Sequence, residues 1–135
     1  MIFLDIWRSY RSLPIWVQVW VAFVLVPVNF ASLLFLSDPM GIGIAFLAVG
    51  AIAPNIGILF YERGFSKMMA MPHVLPWTLL VIWLLFAMPQ GSMAFVNYLW
   101  ILLVVDAISL AFDFPDARKW WKGDRAVAGT NVMRT

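Results

Sequence analysis

Asp106 is the one carboxylate inside an apolar run of this chain. A charge there costs on the order of 2.5 to 3.5 kcal/mol on insertion scales unless it is paired, hydrated or protonated, so a compensating group is required. Asp106 lies seven residues, about 10 Å, before Asp113 at the end of its run, and Asn55 lies six residues, about 9 Å, before Tyr61 at the end of another. The matched depths predict that Asn55 donates its amide to Asp106 and that Ser109, one turn away, completes an intramembrane polar cluster. Such a cluster serves either as a proton- or ion-coupling site or as glue that fixes helix register. Asn29 sits about 10 Å from the opposite surface and, with Ser32, is expected to form a second polar layer. There Asn29 would bond a neighbouring helix or the carbonyl of Phe23, freed because Pro27 lacks an amide hydrogen.

A second constellation is Met68, Met69, Met71 and His73. Soft thioethers and an imidazole within six residues are ligands that Cu(I) accepts, and nothing else in the chain resembles a metal site. Adaptable Met packing at a membrane surface explains the same residues without a metal, and no cofactor is expected otherwise. There is no cysteine, which excludes disulfides, thiolate metal sites and Cys nucleophiles. The sequence carries no paired carboxylates, Ser/His/Asp arrangement, phosphate loop or HExxH, so no catalytic residue is assigned.

The elements that must position these side chains are apolar. Hydrophobic residues make up 64% and charged residues 12% of the chain, too little polar surface for a soluble monomer of 135 residues. The fold class expected is an all-α integral membrane protein: one domain, 1–135, forming a four-transmembrane-helix bundle with short interfacial helices at both termini. The spans are expected at about 15–36, 41–61, 70–88 and 93–112. Each is of a length that crosses, or with some thinning nearly crosses, a hydrocarbon core about 30 Å thick. Segment 2–12 puts Phe3, Trp7 and Tyr10 on one helical face, as an interfacial helix does. Asp113 is a candidate cap for a second interfacial helix at 115–122, anchored by Trp120, Trp121, Lys119 and Lys122, with Trp7 as the matching anchor at the other terminus. The last ten residues read as frayed.

The second span is the one expected to pack inside. Small residues line two adjacent faces, Gly43, Gly50, Pro54 and Gly57 on one and Gly41, Ala45, Ala48 and Asn55 on the next. Lipid offers no hydrophobic drive between helices, so close backbone approach across Gly and Ala is what joins them. Pro54 pushes on the carbonyl of Gly50 and is expected to bend the helix. The third span is bulky, with Trp77, Leu79, Leu80, Trp83 and Phe86, as suits a peripheral helix facing lipid.

All nine Lys and Arg residues fall before the first span, between the second and third, or after the fourth. By the positive-inside rule both termini and the 62–73 loop are cytoplasmic, and a bacterial inner membrane is the expected location. The basic residues thereby serve topology, and no nucleic-acid partner is implied. The partners expected are the bilayer and either a second copy or a larger membrane complex. With no motif that names an activity, the first functional expectation is a structural or accessory subunit acting through helix association. The alternative is a small dimeric proton-coupled transporter or channel with Asp106 as the coupling carboxylate. A lipid enzyme using Glu62, Arg63, Lys67 and His73 has no defensible spacing behind it. An alkaline phosphatase fused after Asp38 or Gln90 is expected to be active in a bacterial host and one fused after Gly64 inactive; the reverse pattern would invert the orientation.

Overall fold

The computed structural model describes residues 1–129. Five helical runs follow in order: α1 (Ile2–Ser12), α2 (Ile15–Phe35), α3 (Gly41–Glu62), α4 (Lys67–Ala87) and α5 (Met93–Trp121). The last four are each long and apolar enough to cross a membrane and form an all-α bundle. α4 packs against both α3 and α5, and α2 lies across α3 and α5 from the other side.

Span one is not a uniform helix. An α-helical turn at Ile15–Val19 gives way to a π-helical stretch at Trp20–Leu25, then to α-helix at Val26–Phe30 and a 3₁₀ turn at Ala31–Phe35. Pro27 has no amide hydrogen and its ring crowds the carbonyl four residues back, so the ladder widens in the turn before it. A tight 36–40 turn then leads into α3. A side chain at Gly41 would collide with the Phe35 carbonyl, which is why glycine stands there.

α3 buries only one of its two small-residue faces. Gly41, Ala45, Ala48, Ile52 and Asn55 are buried, whereas Gly50, Pro54 and Gly57 are exposed, and a methyl group added at Gly50 or Gly57 would meet nothing within 4 Å. The buried side is narrow because a large ring fills the space opposite. Trp77 of α4 is fully buried and its Nε1 donates to the carbonyl of Ala48 at 3.3 Å. α4 is therefore not simply a lipid-facing helix: Leu80 and Leu84 join Trp77 in the core while Leu79, Leu85 and Phe86 face outward. The run starts at Lys67, with a 3₁₀ turn ahead of the α-helix at Met71–Ala87, so at 21 residues it is long enough to cross a full hydrocarbon core.

α5 runs through Asp113 and Pro115 without a break, so segment 115–122 is the end of span four and Asp113 is an interior helix residue rather than a cap. The helix does start with a cap, the Ser92 hydroxyl accepting from Phe95 N at 3.2 Å. At the same end Asp38 accepts from Ser92 N at 3.2 Å and ties the two short turns together.

The other end carries the basic residues and is closed by three segments. α1 docks on α3 through an Arg63–Asp5 ion pair of 2.8 Å and a Phe3–Phe60 edge contact. The hydrogen bond from the Arg63 guanidinium holds the Asp5 carboxyl below its usual range. Ser9 accepts from Phe65 N at 2.8 Å, and residues 123–129 pair with the same loop through Ala128 N to Phe65 O at 2.8 Å and a Ser66–Val127 bridge. Residues 126–129 of the tail expected to be frayed are thus docked; 130–135 lie outside the described residues. Trp7 and Trp121 are exposed at this end, as are Lys119 and Lys122, and Trp120 is half-buried with Arg125 over its ring at 4.1 Å. Ala48→Leu is expected to cost about 1–3 kcal/mol through overpacking against Trp77. Gly50→Ala, at an open helical position, should leave stability unchanged or raise it by about 0.5–1 kcal/mol. Thermal unfolding in detergent micelles checks both.

Candidate functional site

Two polar layers cross the bundle, and their membership differs from the pairing expected of the sequence. In the deeper layer Asp106, with no exposed surface, accepts from Asn29 Nδ2 at 2.8 Å. Asn29 also donates to the Leu25 carbonyl at 3.0 Å, within its own helix, and Ser32 donates to the Asn29 carbonyl at 2.7 Å. Tyr98, two turns along α5, donates to the Val28 carbonyl at 2.6 Å. Asp106 Oδ2 and Asn29 Oδ1 find no hydrogen-bond partner among the described residues.

Asn29 and Ser32 therefore do not form a separate layer, and Asn55 is not the partner of Asp106. The reason is where each helix ends. Asp106 is fifteen residues in from Trp121 and Asn29 fourteen in from Ile15, about 21–22 Å each, so their depths agree once α5 is followed to its true end.

Asn55 belongs to the shallower layer, about 10 Å from the basic end of α3. Its Nδ2 lies 2.7 Å from His73 Nε2, and His73 Nδ1 lies 3.1 Å from Asp113 Oδ2. The carboxylate partner puts the ring hydrogen on Nδ1, so in the neutral imidazole Nε2 accepts from the Asn55 amide. That leaves Asn55 Oδ1 as an acceptor without a partner. Asn55 is 7% exposed and His73 is also buried, stacked on Trp77 with centroids 4.1 Å apart. Three helices thus contribute one group each to an Asn55–His73–Asp113 chain. Ser109 is spoken for by span one, its hydroxyl accepting from Trp20 Nε1 at 3.2 Å.

The two layers share α5. Tyr98, Asp106, Ser109, Asp113 and Asp116 fall within about 80° of arc at 100° per residue, so one face of span four carries a polar stripe about 27 Å long. Sequence reasoning grouped His73 with three methionines. The expected span from 70 already takes in His73, and the helical run that begins at Lys67 sets it at the depth of Asn55. Of the methionines, Met69 shares a cavity with His73, Met68 is half-buried and Met71 is exposed. Both His73 nitrogens are engaged, so a metal there would have to displace Asn55 or Asp113. The packing residues Ala45 and Ala48 are inside, Gly43 faces the Trp83 ring, and Gly50, Pro54 and Gly57 stand outside.

Comparison with protein-family models, curated proteins and solved structures finds no match to this chain. Asn29→Leu is expected to destabilise the protein by about 2–3 kcal/mol, because Asp106 loses its amide donor in a dry site. Adding Asp106→Leu should recover part of that loss, and a double-mutant cycle by denaturant unfolding in mixed micelles reads the coupling.

Proposed function

We propose that the protein is a small proton-exchanging carrier or channel of a bacterial inner membrane, with both termini cytoplasmic. The observation that carries this reading is the stripe on α5, where a fully buried carboxylate with one oxygen unpartnered among the described residues stands in line with a His73–Asp113 pair nearer the basic end. Intramembrane ionisable groups are expensive to keep, and a helix that needed only to hold its register would be served by Asn or Ser. Asp106 is the coupling carboxylate in this reading. Asn29 orients it, and the Asn55–His73–Asp113 chain exchanges protons with the cytoplasmic side. Ser109 lies between the two layers, four residues from Asp113 and three from Asp106. The positive-inside distribution of Lys and Arg sets the orientation.

A second reading, an accessory subunit acting through helix association, is favoured by the open face of α3. Gly50, Pro54 and Gly57 offer lipid a strip where another helix can approach closely, whether from a second copy or from a larger complex. Protein reconstituted in liposomes under an imposed potassium diffusion potential separates the two. Proton uptake above that of empty vesicles is expected, falling to background in Asp106→Asn and by about tenfold in Asp113→Asn. Uptake equal to empty vesicles, or an Asp106→Asn variant that is silent for flux but less stable, would leave the association reading in its place.

A further inference from the structure

Between the basic half of α2 and the facing part of α3 lies a cavity of about 760 Å³. Small-molecule sites occupy about 300–1,000 Å³, so the volume suits a bound organic ligand. Its side walls are apolar and aromatic, formed by Trp16, Trp20 and Val21 of α2 and by Ile52, Ile56 and Leu59 of α3. The polar lining is Asn55, His73, Asp113, Asp116, Lys67 and Ser66, with Ser109, already bonded to Trp20, deeper along α5.

The cavity exists because span one is splayed. α2 meets α3 through its second half, whereas its first half leans on α5, with Trp16 against Phe112 at 5.5 Å and Trp20 bonded to Ser109. A slot towards lipid is left between the first half of α2 and α3, with the half-exposed Trp16 and Ile56 on its two sides. Ala126 and Ala128, tied to the 65–66 loop, line the cavity at the basic end, which favours entry from the side among the described residues.

We infer that this cavity binds a single-chain amphiphile with a protonated amine head, admitted laterally from the lipid and seated with its head at Asn55 and Asp116. Three observations converge on that class. Asn55 is buried on the cavity wall, and its Oδ1 is an acceptor with no partner, so it calls for a donor. A sulfate or carboxylate head brings acceptors only, and a phosphate head is an anion that brings mainly acceptors. Among the groups lining the cavity, Lys67 pairs with Asp124 at 3.2 Å and Asp113 is engaged with His73, while Asp116, in the field of Lys67 and Lys119, forms no ion pair of its own among the described residues. The surplus at the polar end is negative. The indole walls of Trp16 and Trp20 accept both an alkyl chain and, at the head, a cation over the ring. The inference needs no proton movement, and binding without a gradient tests it apart from the transport reading.

The test uses the full chain in nanodiscs of zwitterionic lipid, photolabelled with dodecylamine carrying a mid-chain diazirine and read by peptide mass mapping. Label is expected on residues 13–30 and 52–59, and unlabelled dodecylamine should suppress it at a concentration about tenfold lower than dodecyl phosphate. Ile56→Trp, which narrows the slot from a lipid-exposed position, and Asn55→Val, which removes the acceptor, should each reduce labelling about fivefold or more. Asp116→Asn is a milder variant for the same end, and thermal unfolding confirms that each protein is folded. Equal competition by the two amphiphiles, label spread over outward residues such as Phe46 and Phe86, or labelling unchanged in folded Ile56→Trp would overturn the inference.

Discussion

A carboxyl group with no exposed surface, on a helix that is otherwise apolar from 99 to 108, has to be given a donor before the neighbouring helices can close around it. Asn29 is that donor, and meeting the requirement fixes more than one contact. It sets the rotation of the second half of span one against span four and brings Ser32 and the Val28 carbonyl to the same interface. Against a net stability of about 5–15 kcal/mol, a buried pair of this kind is a sizeable share, and its loss is felt throughout the bundle. The first half of span one is then free of that constraint, because the π-helical stretch lies between the two halves. It leans on α5 instead of α3, and the cavity is what remains between them.

The small residues of α3 act in two different ways. On the inner side they let a whole indole ring reach the backbone of the neighbouring helix, a contact that Leu or Ile at position 48 would block. On the outer side they do nothing for the monomer, since no described group comes near Gly50 or Gly57. A soluble protein would hide such a strip or fill it. A lipid-facing helix loses little by leaving it bare, because chains of lipid pack against glycine as readily as against leucine.

Span number and composition were legible because they rest on length, apolar runs and the placement of charge, which the bilayer reads almost without regard to tertiary detail. The partners of the polar groups were not. Depth arithmetic is sound only when helix ends are known, and one end was misjudged: α5 continues past Asp113 and Pro115, whereas α4 begins at Lys67, within a turn of the expected start at 70. Pro115 misleads because proline usually marks a helix start, yet here it is accommodated inside one. His73 was read as a copper-ligand candidate beside its methionines, and its pairing with Asn55 and Asp113 was missed because Asp113 was taken as the end of span four. Helical periodicity also cannot say which of two adjacent small-residue faces turns inward; that choice belongs to Trp77, on a different helix.

The π-helical stretch at Trp20–Leu25 is equivalent to one residue inserted into an α-helix, with the surplus taken up locally as a wider turn. Losing a single residue from this stretch would therefore leave Gln18 and Asn29 on their present faces and merely straighten the segment between them. A loss elsewhere in the same span would swing one half through about 100° relative to the other. Span one thus contains a place where its length can change in evolution without breaking the Asn29–Asp106 pair, and the volume beside it is the quantity such a change would tune.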